Sequence, residues 1–216
     1  PAEIGLRWRN LFGTDILDGI GSTEMLHIFL TNKPDDVCYG TTGTPVQSFD
    51  IRLLDDAGQP VPQGEIGELH VRGPTSAAGY WCNREKTQST FLGPWVRSGD
   101  KFFQDENGRY VYCGRGDDML KVSGIYVSPL EVEAALLSHS AVAEAAVIGW
   151  PDEAGLIKPK AFVVLDGCSP SKDLVEELKA YVKSSLAPYK YPRWIEFMDA
   201  LPTTATGKIA RFRLRK

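Results

Sequence analysis

The feature that most constrains the fold is a change of pattern at Gly114-Arg115-Gly116-Asp117-Asp118. Upstream, from about residue 40 to 113, short strands alternate with glycine-containing turns. Residues 50–55 read as a strand with Asp56-Ala57-Gly58 as its turn. Glu68-Leu69-His70-Val71-Arg72-Gly73 alternates apolar and polar residues, as a half-buried strand does. Residues 101–104 and 109–112 flank Asp105-Glu106-Asn107-Gly108, a hairpin signal. Downstream the pattern is that of a compact α/β unit. Ser128-Pro129-Leu130-Glu131 starts a helix, with Ser at the N-cap, Pro at the first helical position and Glu at the third, and the helix runs to about Ser138. Residues 142–149 and 160–165 read as buried strands. Residues 171–186 form an amphipathic helix with Leu174, Leu178, Val182 and Leu186 on one stripe. Trp194-Ile195-Glu196-Phe197 reads as a last strand. At the other end, residues 3–12 read as a helix stopped by Gly13, and residues 15–21 as a short strand running into a glycine turn.

A length of 216 residues suggests one large or two small domains. The formal net charge of -4 argues against a general nucleic-acid binder, which needs a basic face to displace counterions. No apolar run is long enough to span a bilayer and no signal peptide is visible. Cys38, Cys82, Cys113 and Cys168 are scattered and form no C-x-x-C pair, which disfavours a disulfide framework or a zinc site and suits a reduced, cytoplasmic compartment. His27, His70 and His139 are equally dispersed. The chain opens directly into a helical pattern and closes inside another, so it is expected to be a piece of a longer protein.

Several short stretches carry residues suited to nucleotide chemistry. In Gly19-Ile20-Gly21-Ser22-Thr23-Glu24, the glycines let the backbone approach a ligand and Thr23 can give a hydroxyl to a phosphate. Glu24 can hold Mg²⁺, which favours one or two carboxylates beside phosphate oxygens. The same residues also suit a plain glycine turn with a helix cap. Arg97-Ser98-Gly99-Asp100 sets an acid after a glycine, where a carboxylate can accept from both hydroxyls of a ribose; a turn aspartate is the alternative. Gly114–Asp118 suits a charged surface turn, or a nucleotide-contacting Arg115 beside a pivot, since glycines and short polar residues absorb backbone rotation. Lys121 and Gly124 follow in Leu120-Lys121-Val122-Ser123-Gly124, where the glycine fits a strand bulge or the wall of a narrow ligand passage. Pro202-Thr203-Thr204-Ala205-Thr206-Gly207-Lys208 places a lysine in a loop of small hydroxylated residues. Its compact ammonium on a flexible stem suits a phosphate or a developing oxyanion, and equally a solvated surface charge. Gly40-Thr41-Thr42-Gly43-Thr44-Pro45 looks like a phosphate loop, but it lacks the lysine and precedes a strand, so a structural turn is expected.

In order these stretches read G-x-G-x-T-E, G-E-L-x-V-R-G with G-Y-W, S-G-D, G-R-x-D-D-x-x-K-x-x-G and P-x-T-x-T-G-K. In that series the chain resembles the acyl-adenylate-forming superfamily of acyl- and aryl-CoA ligases, peptide-synthetase adenylation domains and firefly luciferase. The resemblance runs over nearly all of the sequence and corresponds to the C-terminal half of that family's chain. Ser22-Thr23-Glu24-Met25-Leu26-His27-Ile28-Phe29 is most similar to the benzoate- and hydroxybenzoate-CoA ligases.

The resemblance implies an α/β (α+β) fold. A β-rich, distorted-barrel-like part of a large N-terminal domain would cover residues 1–113, a hinge 114–118, and a small mobile α/β C-terminal domain 119–216. It implies an enzyme that activates a carboxylic acid with Mg-ATP, releases pyrophosphate, rotates its C-terminal domain and passes the acyl group to the thiol of coenzyme A. Carried over by motif, Gly19, Ile20 and Gly21 line the nucleotide site, Ile20 standing where the family often has a tyrosine on the adenine. Thr23 contacts phosphate, Glu24 helps hold Mg²⁺, and Asp100 binds the ribose hydroxyls with Arg115 beside it. Asp117 matches the hinge. Lys208 matches the lysine that bridges the substrate carboxylate and the α-phosphate in adenylation. Lys121 and Gly124 lie on the opposite face of the small domain, presented after rotation, with Gly124 lining the pantetheine tunnel. Leu26, His27 and Ile28 are expected to line part of the acyl pocket, the His27 imidazole edge suiting an aromatic ring; a packed helix residue is the other reading of His27.

The family's glycine-rich phosphate loop and most of its acyl pocket are absent from this sequence, so the chain alone is expected to be inactive. The expected partners are an aromatic carboxylic acid, ATP, coenzyme A and the missing N-terminal part of its own chain. A protein acetyltransferase acting on Lys208 is a further one, because acetylation removes the lysine's charge. A carrier-protein thiol in place of CoA, or a non-catalytic nucleotide- or partner-binding module, are the alternatives.

Overall fold

In a computed structural model the structure describes residues 2–122, 124–205 and 207–215. Ser123 and Thr206, quoted in the motifs above, therefore lie outside the described residues. The chain divides into two compact units, residues 1–117 and 118–216. It is a mixed, strand-rich α/β chain.

The first unit opens with α1 (Ala2–Phe12), ended by Gly13 at φ 67°. β1 (Gly19–Gly21), β2 (Ile28–Thr31) and β3 (Thr44–Pro45) form one antiparallel sheet. The strand expected over residues 15–21 is thus shortened to its last three residues. Before them one backbone bond, from the Asn32 amide to the Asp18 carbonyl at 2.8 Å, remains, and side chains do the rest: the Asn32 side-chain amide donates to the same carbonyl and the Tyr39 hydroxyl to Asp15 Oδ1 at 2.6 Å. The turn at Gly40–Thr44 is structural, as expected. Gly43 has φ 73°, and a Cβ there would lie 2.1 Å from the Thr31 carbonyl oxygen. The Thr42 hydroxyl donates to the Tyr110 carbonyl.

β4 (Asp50–Leu54), β5 (Gly67–Arg72) and β7 (Trp95–Gln104) pair antiparallel, and α2 (Arg84–Thr90) leads into β6 (Phe91–Leu92). β7 is long enough to pair β6 at its start and β8 (Tyr110–Arg115) from Asp100 onward. The core between the sheets gathers Met25, Phe29, Leu30, Leu69, Val71, Val96 and Phe102. Alternation in β5 predicts His70 on a polar face, yet it is buried. The register sets it between Arg52 and Arg97, whose long stems can cover that face.

The second unit contains β9 (Leu120–Val122), β10 (Ile125–Val127), α3 (Pro129–Leu137), β11 (Val142–Pro151), β12 (Ile157–Leu165), α4 (Lys172–Ser185), β13 (Trp194–Phe197) and α5 (Arg211–Leu214). The Ser128 hydroxyl accepts from the Glu131 amide, the cap that the sequence predicts. β11 and β12 are antiparallel; α4 is the crossover that lets β13 join β12 in parallel. Alternate residues of β11 serve two cores. Ala145 and Val147 face Val132, Leu136, Leu178 and Val182 of the helices. Ala146 and Ile148 pack with Phe162, Leu201, Ile209 and Leu214 of the C-terminal segment. That double burial explains why the strand reads as a continuous apolar run. Among the described residues no helix is long and apolar enough to cross a membrane.

Candidate active site

The glycines of β1 serve first to let two strands meet. A Cβ on Gly19 would lie 2.7 Å from the Leu30 carbonyl oxygen, and one on Gly21 would lie 2.5 Å from that of His27. The Ile20 side chain packs against the core of the first unit. Beyond β1, Ser22 caps a single 3₁₀ turn, Thr23–Met25, its hydroxyl accepting from the Met25 amide at 3.3 Å. Leu26 then takes φ 69°, a conformation bulky residues rarely adopt.

A distant loop seats this turn. The Thr75 hydroxyl donates to the Met25 carbonyl at 2.6 Å, the Ala77 amide to the Glu24 carbonyl at 2.8 Å, and the Tyr80 hydroxyl to Glu24 Oε1. Burial pushes the Glu24 pKa up. Hydrogen bonds from Tyr80, its own backbone amide and Ser22, with the Lys86 charge, outweigh that, and the net direction is down. Glu24 is therefore an ionised carboxylate whose direction Tyr80 fixes. It belongs to no group of three metal-ligating side chains among the described residues. It fits a cation that takes one protein carboxylate and draws its other ligands from phosphate and water, as Mg²⁺ does. Thr23 beside it is exposed.

Leu26 is 75% exposed and Ile28 47%, and His27 is exposed too. The helical reading of His27 is corrected: the residue follows the 3₁₀ turn, with Nδ1 2.7 Å from the Ile28 carbonyl and its ring edge-on to Phe49 at 5.3 Å.

Asp100 and Arg115 meet where β7 pairs β8. Gly99, at φ 76°, turns the strand, and a Cβ there would lie 3.1 Å from the Arg115 guanidinium. Arg115 Nη1 donates to the Ser98 carbonyl at 3.2 Å and lies 3.5 Å from Asp100 Oδ1, while its Nε is 3.6 Å from Asp117. Burial pushes the Asp100 carboxyl up, and Arg115 and Ser98 draw it back only in part. Next to this corner an open cavity of about 260 Å³ is lined by Lys86, Arg97, Ser98, Gly99, Arg115 and Asp117, among others. Such a corner pairs an acceptor for hydroxyls with cations for phosphate.

In the second unit, Lys208 stands at a tight loop. Thr203 bridges Ile209, the Thr204 amide donates to the Lys208 carbonyl at 2.8 Å, and the Lys208 amide donates to the Thr204 hydroxyl at 3.2 Å. Gly207 takes φ 79° and Lys208 is exposed. Lys121 lies across the β9–β10 ladder from Tyr126, its ammonium 5.0 Å from the ring centre. Gly124 has φ 85°, and a Cβ there would meet nothing within 4 Å. Backbone conformation, rather than crowding inside this unit, is what calls for glycine there.

Residues 1–81 match the family described as AMP-binding enzyme, and residues 131–208 match the AMP-binding enzyme C-terminal domain. The chain belongs to the AMP-binding enzymes. Among its AMP-binding relatives, the benzoate–CoA ligase of Thauera aromatica is 62% identical over all of this chain, which covers 41% of that protein. The crystal structure of a benzoate CoA ligase from Burkholderia xenovorans LB400 superposes with a TM-score of 0.93 at 60% identity, covering all of this chain and 43% of that one. The anthranilate CoA ligase AuaEII, solved in complex with anthranoyl-AMP, also gives 0.93, at 51% identity over 99% of this chain and 42% of that one. The chain thus spans about 40% of the length of the relatives it matches.

Within each unit the structure brings predicted residues together: Thr23 and Glu24 in one turn, Asp100, Arg115 and Asp117 in one corner. Tyr80, within the G-Y-W motif, carries no local signal of its contact with Glu24, 56 positions away. The residues expected from the sequence also omit Ser98, and the buried Glu133 with its partner Arg211.

Proposed function

We propose that this chain works within an ATP-dependent aryl-CoA ligase that converts benzoate or a substituted benzoate, ATP and CoA into aryl-CoA, AMP and pyrophosphate. One observation carries the two-step form of the reading: a single unit presents two lysines at separate places, Lys208 at a tight loop and Lys121 on strand β9. The aromatic substrate is suggested by the activity named for the benzoate–CoA ligases that this chain resembles.

In the first step a carboxylate oxygen of the acid attacks the α-phosphorus of ATP, and the bond from that phosphorus to pyrophosphate breaks. Both reactants are anionic, so the Lys208 ammonium has most effect between them, where charge builds up. Glu24 would hold Mg²⁺, which supplies charge neutralisation on the phosphates. Asp100 accepts from the ribose hydroxyls, with Arg115 beside it. In the second step the CoA sulfur attacks the acyl carbonyl carbon and AMP leaves. Lys208 would obstruct that approach. Rotation at Asp117 exchanges it for the face bearing Lys121 and Gly124. Leu26, His27 and Ile28 form part of the aryl pocket, and Ile20 part of the adenine contact.

A cytoplasmic location is part of the same proposal, supported by four free cysteines, which persist as thiols in a reducing compartment. Lys208 is also proposed as a target of a protein acetyltransferase, since losing its charge stops adenylation; mass spectrometry finding it unmodified under acetylating conditions counts against this. The function itself is tested with a panel of aryl and alkyl acids assayed for CoA thioester formation by the full-length protein. Benzoates are expected to lead the panel. Preference for alkyl acids, or transfer only to a carrier protein, overturns the reading.

A further inference from the structure

The most deeply buried ion pair of the second unit, among the described residues, does not belong to any motif assigned above. Glu133 on α3 has a side chain only 7% exposed, and both of its carboxylate oxygens lie 2.8 Å from Arg211 Nη2. Oε1 also accepts the Val147 amide of β11 at 2.7 Å. Burying a carboxylate is costly unless it is paired and hydrogen-bonded, and here it is both. Arg211 lies three residues beyond Lys208 and is the first residue of α5. That helix has only four residues and no side-chain cap, so it cannot set its own direction. The base of the Lys208 loop closes immediately before it, where the Ala210 amide donates to the Pro202 carbonyl at 2.7 Å.

We propose that Glu133 and Arg211 are positioning residues for Lys208: the pair fixes the C-terminal stem of the Lys208 loop to the α3–β11 layer and thereby aims the ammonium. Packing of Ile209 and Leu214 against the second face of the sheet holds the stem's depth. Apolar contact is non-directional, so it leaves rotation about the stem open. Both Glu133 oxygens accept from one Arg211 nitrogen, Nη2, a directional contact that limits that freedom, and the Val147 amide holds the acceptor itself. A second, more exposed pair, Arg215 to Asp118 at 2.6 Å, ties the far end of the same segment to the residue after Asp117.

This inference rests on the role proposed for Lys208, and its test separates the two. In the full-length enzyme, Glu133→Gln, Arg211→Met and Arg211→Lys are compared with Lys208→Ala in each half-reaction. A misplacement of about 1 Å costs on the order of 10²-fold in a positioned reaction. Arg211→Met is therefore expected to lower ATP–pyrophosphate exchange by roughly that factor. Thioester formation from supplied benzoyl-AMP should keep its wild-type rate, and Arg211→Lys should recover part of the exchange. Hydrogen exchange should quicken in residues 203–210 and stay slow in α3 and α4. Equal loss of both half-reactions, or loss of protection throughout the second unit, makes the pair merely structural and overturns the proposal; Arg211→Lys and Glu133→Gln decide this if Arg211→Met does not fold. Unchanged exchange kinetics in residues 203–210 overturn it whatever acid the enzyme activates. If Lys208→Ala itself spares adenylation, the reading of Lys208 fails instead.

Discussion

Gly21→Ala tests whether close approach of β1 to β2 is what places Glu24. The new Cβ would stand 2.5 Å from the His27 carbonyl oxygen, 2.7 Å from its carbon and 2.8 Å from the Ile28 nitrogen. Ordinary contact begins near 3.4 Å, so the strands must part by about 1 Å, and all three atoms are backbone. No flexible side chain can yield in their place. Overpacking of this kind costs about 1–3 kcal/mol, and for a unit of this size each kcal/mol lowers the melting temperature by roughly 4 °C. Thermal and urea unfolding of the 216-residue chain read the stability term. The functional term is larger, because the Ser22 cap and the Glu24 carboxylate begin at the next residues. A 1 Å displacement there should reduce acyl-adenylate formation by the full-length enzyme by about 10²-fold. An alanine variant with wild-type melting and wild-type adenylation would show that the close approach of β1 to β2 does not place Glu24.

Two further outcomes concern pH. Burial raises the Asp100 pKa, and only the ionised carboxylate accepts from both ribose hydroxyls. AMP binding to the full-length enzyme, followed by calorimetry, should therefore weaken on acidification at a higher pH than an ordinary aspartate would give, and Asp100→Asn should flatten the profile at low affinity. Burial lowers the His70 pKa from 6.5 despite the pull of Glu68, so the unfolded chain takes up the proton first. Its contribution to stability is complete above about pH 6.5 and is lost as the pH falls through the folded-state value. Urea midpoints between pH 7 and 5 should fall less steeply for His70→Leu than for wild type, and equal slopes would contradict this.

Local signals made most of the fold legible. The Ser128 cap, the Asp105 hairpin and the stripe through Leu178 and Val182 each depend on residues within one turn or one helix, and each forms as expected. The order of the motifs pointed to Glu24, Asp100 and Lys208 for the same reason, since each lies in a short stretch of telling composition. What stayed hidden depends on residues far apart. Tyr80 reaches Glu24 across 56 positions, and Arg211 reaches Glu133 across 78. Glu131 and Glu133 are the same residue type two positions apart, yet the first pairs with Lys190 near the surface while the second is buried. Glu133 lies three residues before the buried Leu136, on the inner side of α3, and that spacing was the one available hint. The nearest atoms to the missing side chains of Gly19 and Gly21 belong to β2 and the turn before it, a strand-pairing role that only the fold shows. Alternation failed at His70 because long cross-strand arginines can bury a face that the pattern leaves to water.

In the mechanism proposed above, Lys208 serves one half-reaction and a different face of the same unit serves the other. The most direct measurement takes full-length Lys208→Ala and follows pyrophosphate exchange and the conversion of supplied benzoyl-AMP to benzoyl-CoA separately. Exchange is expected to collapse while thioester formation persists near the wild-type rate. Parallel loss of both activities, or survival of exchange, would contradict it.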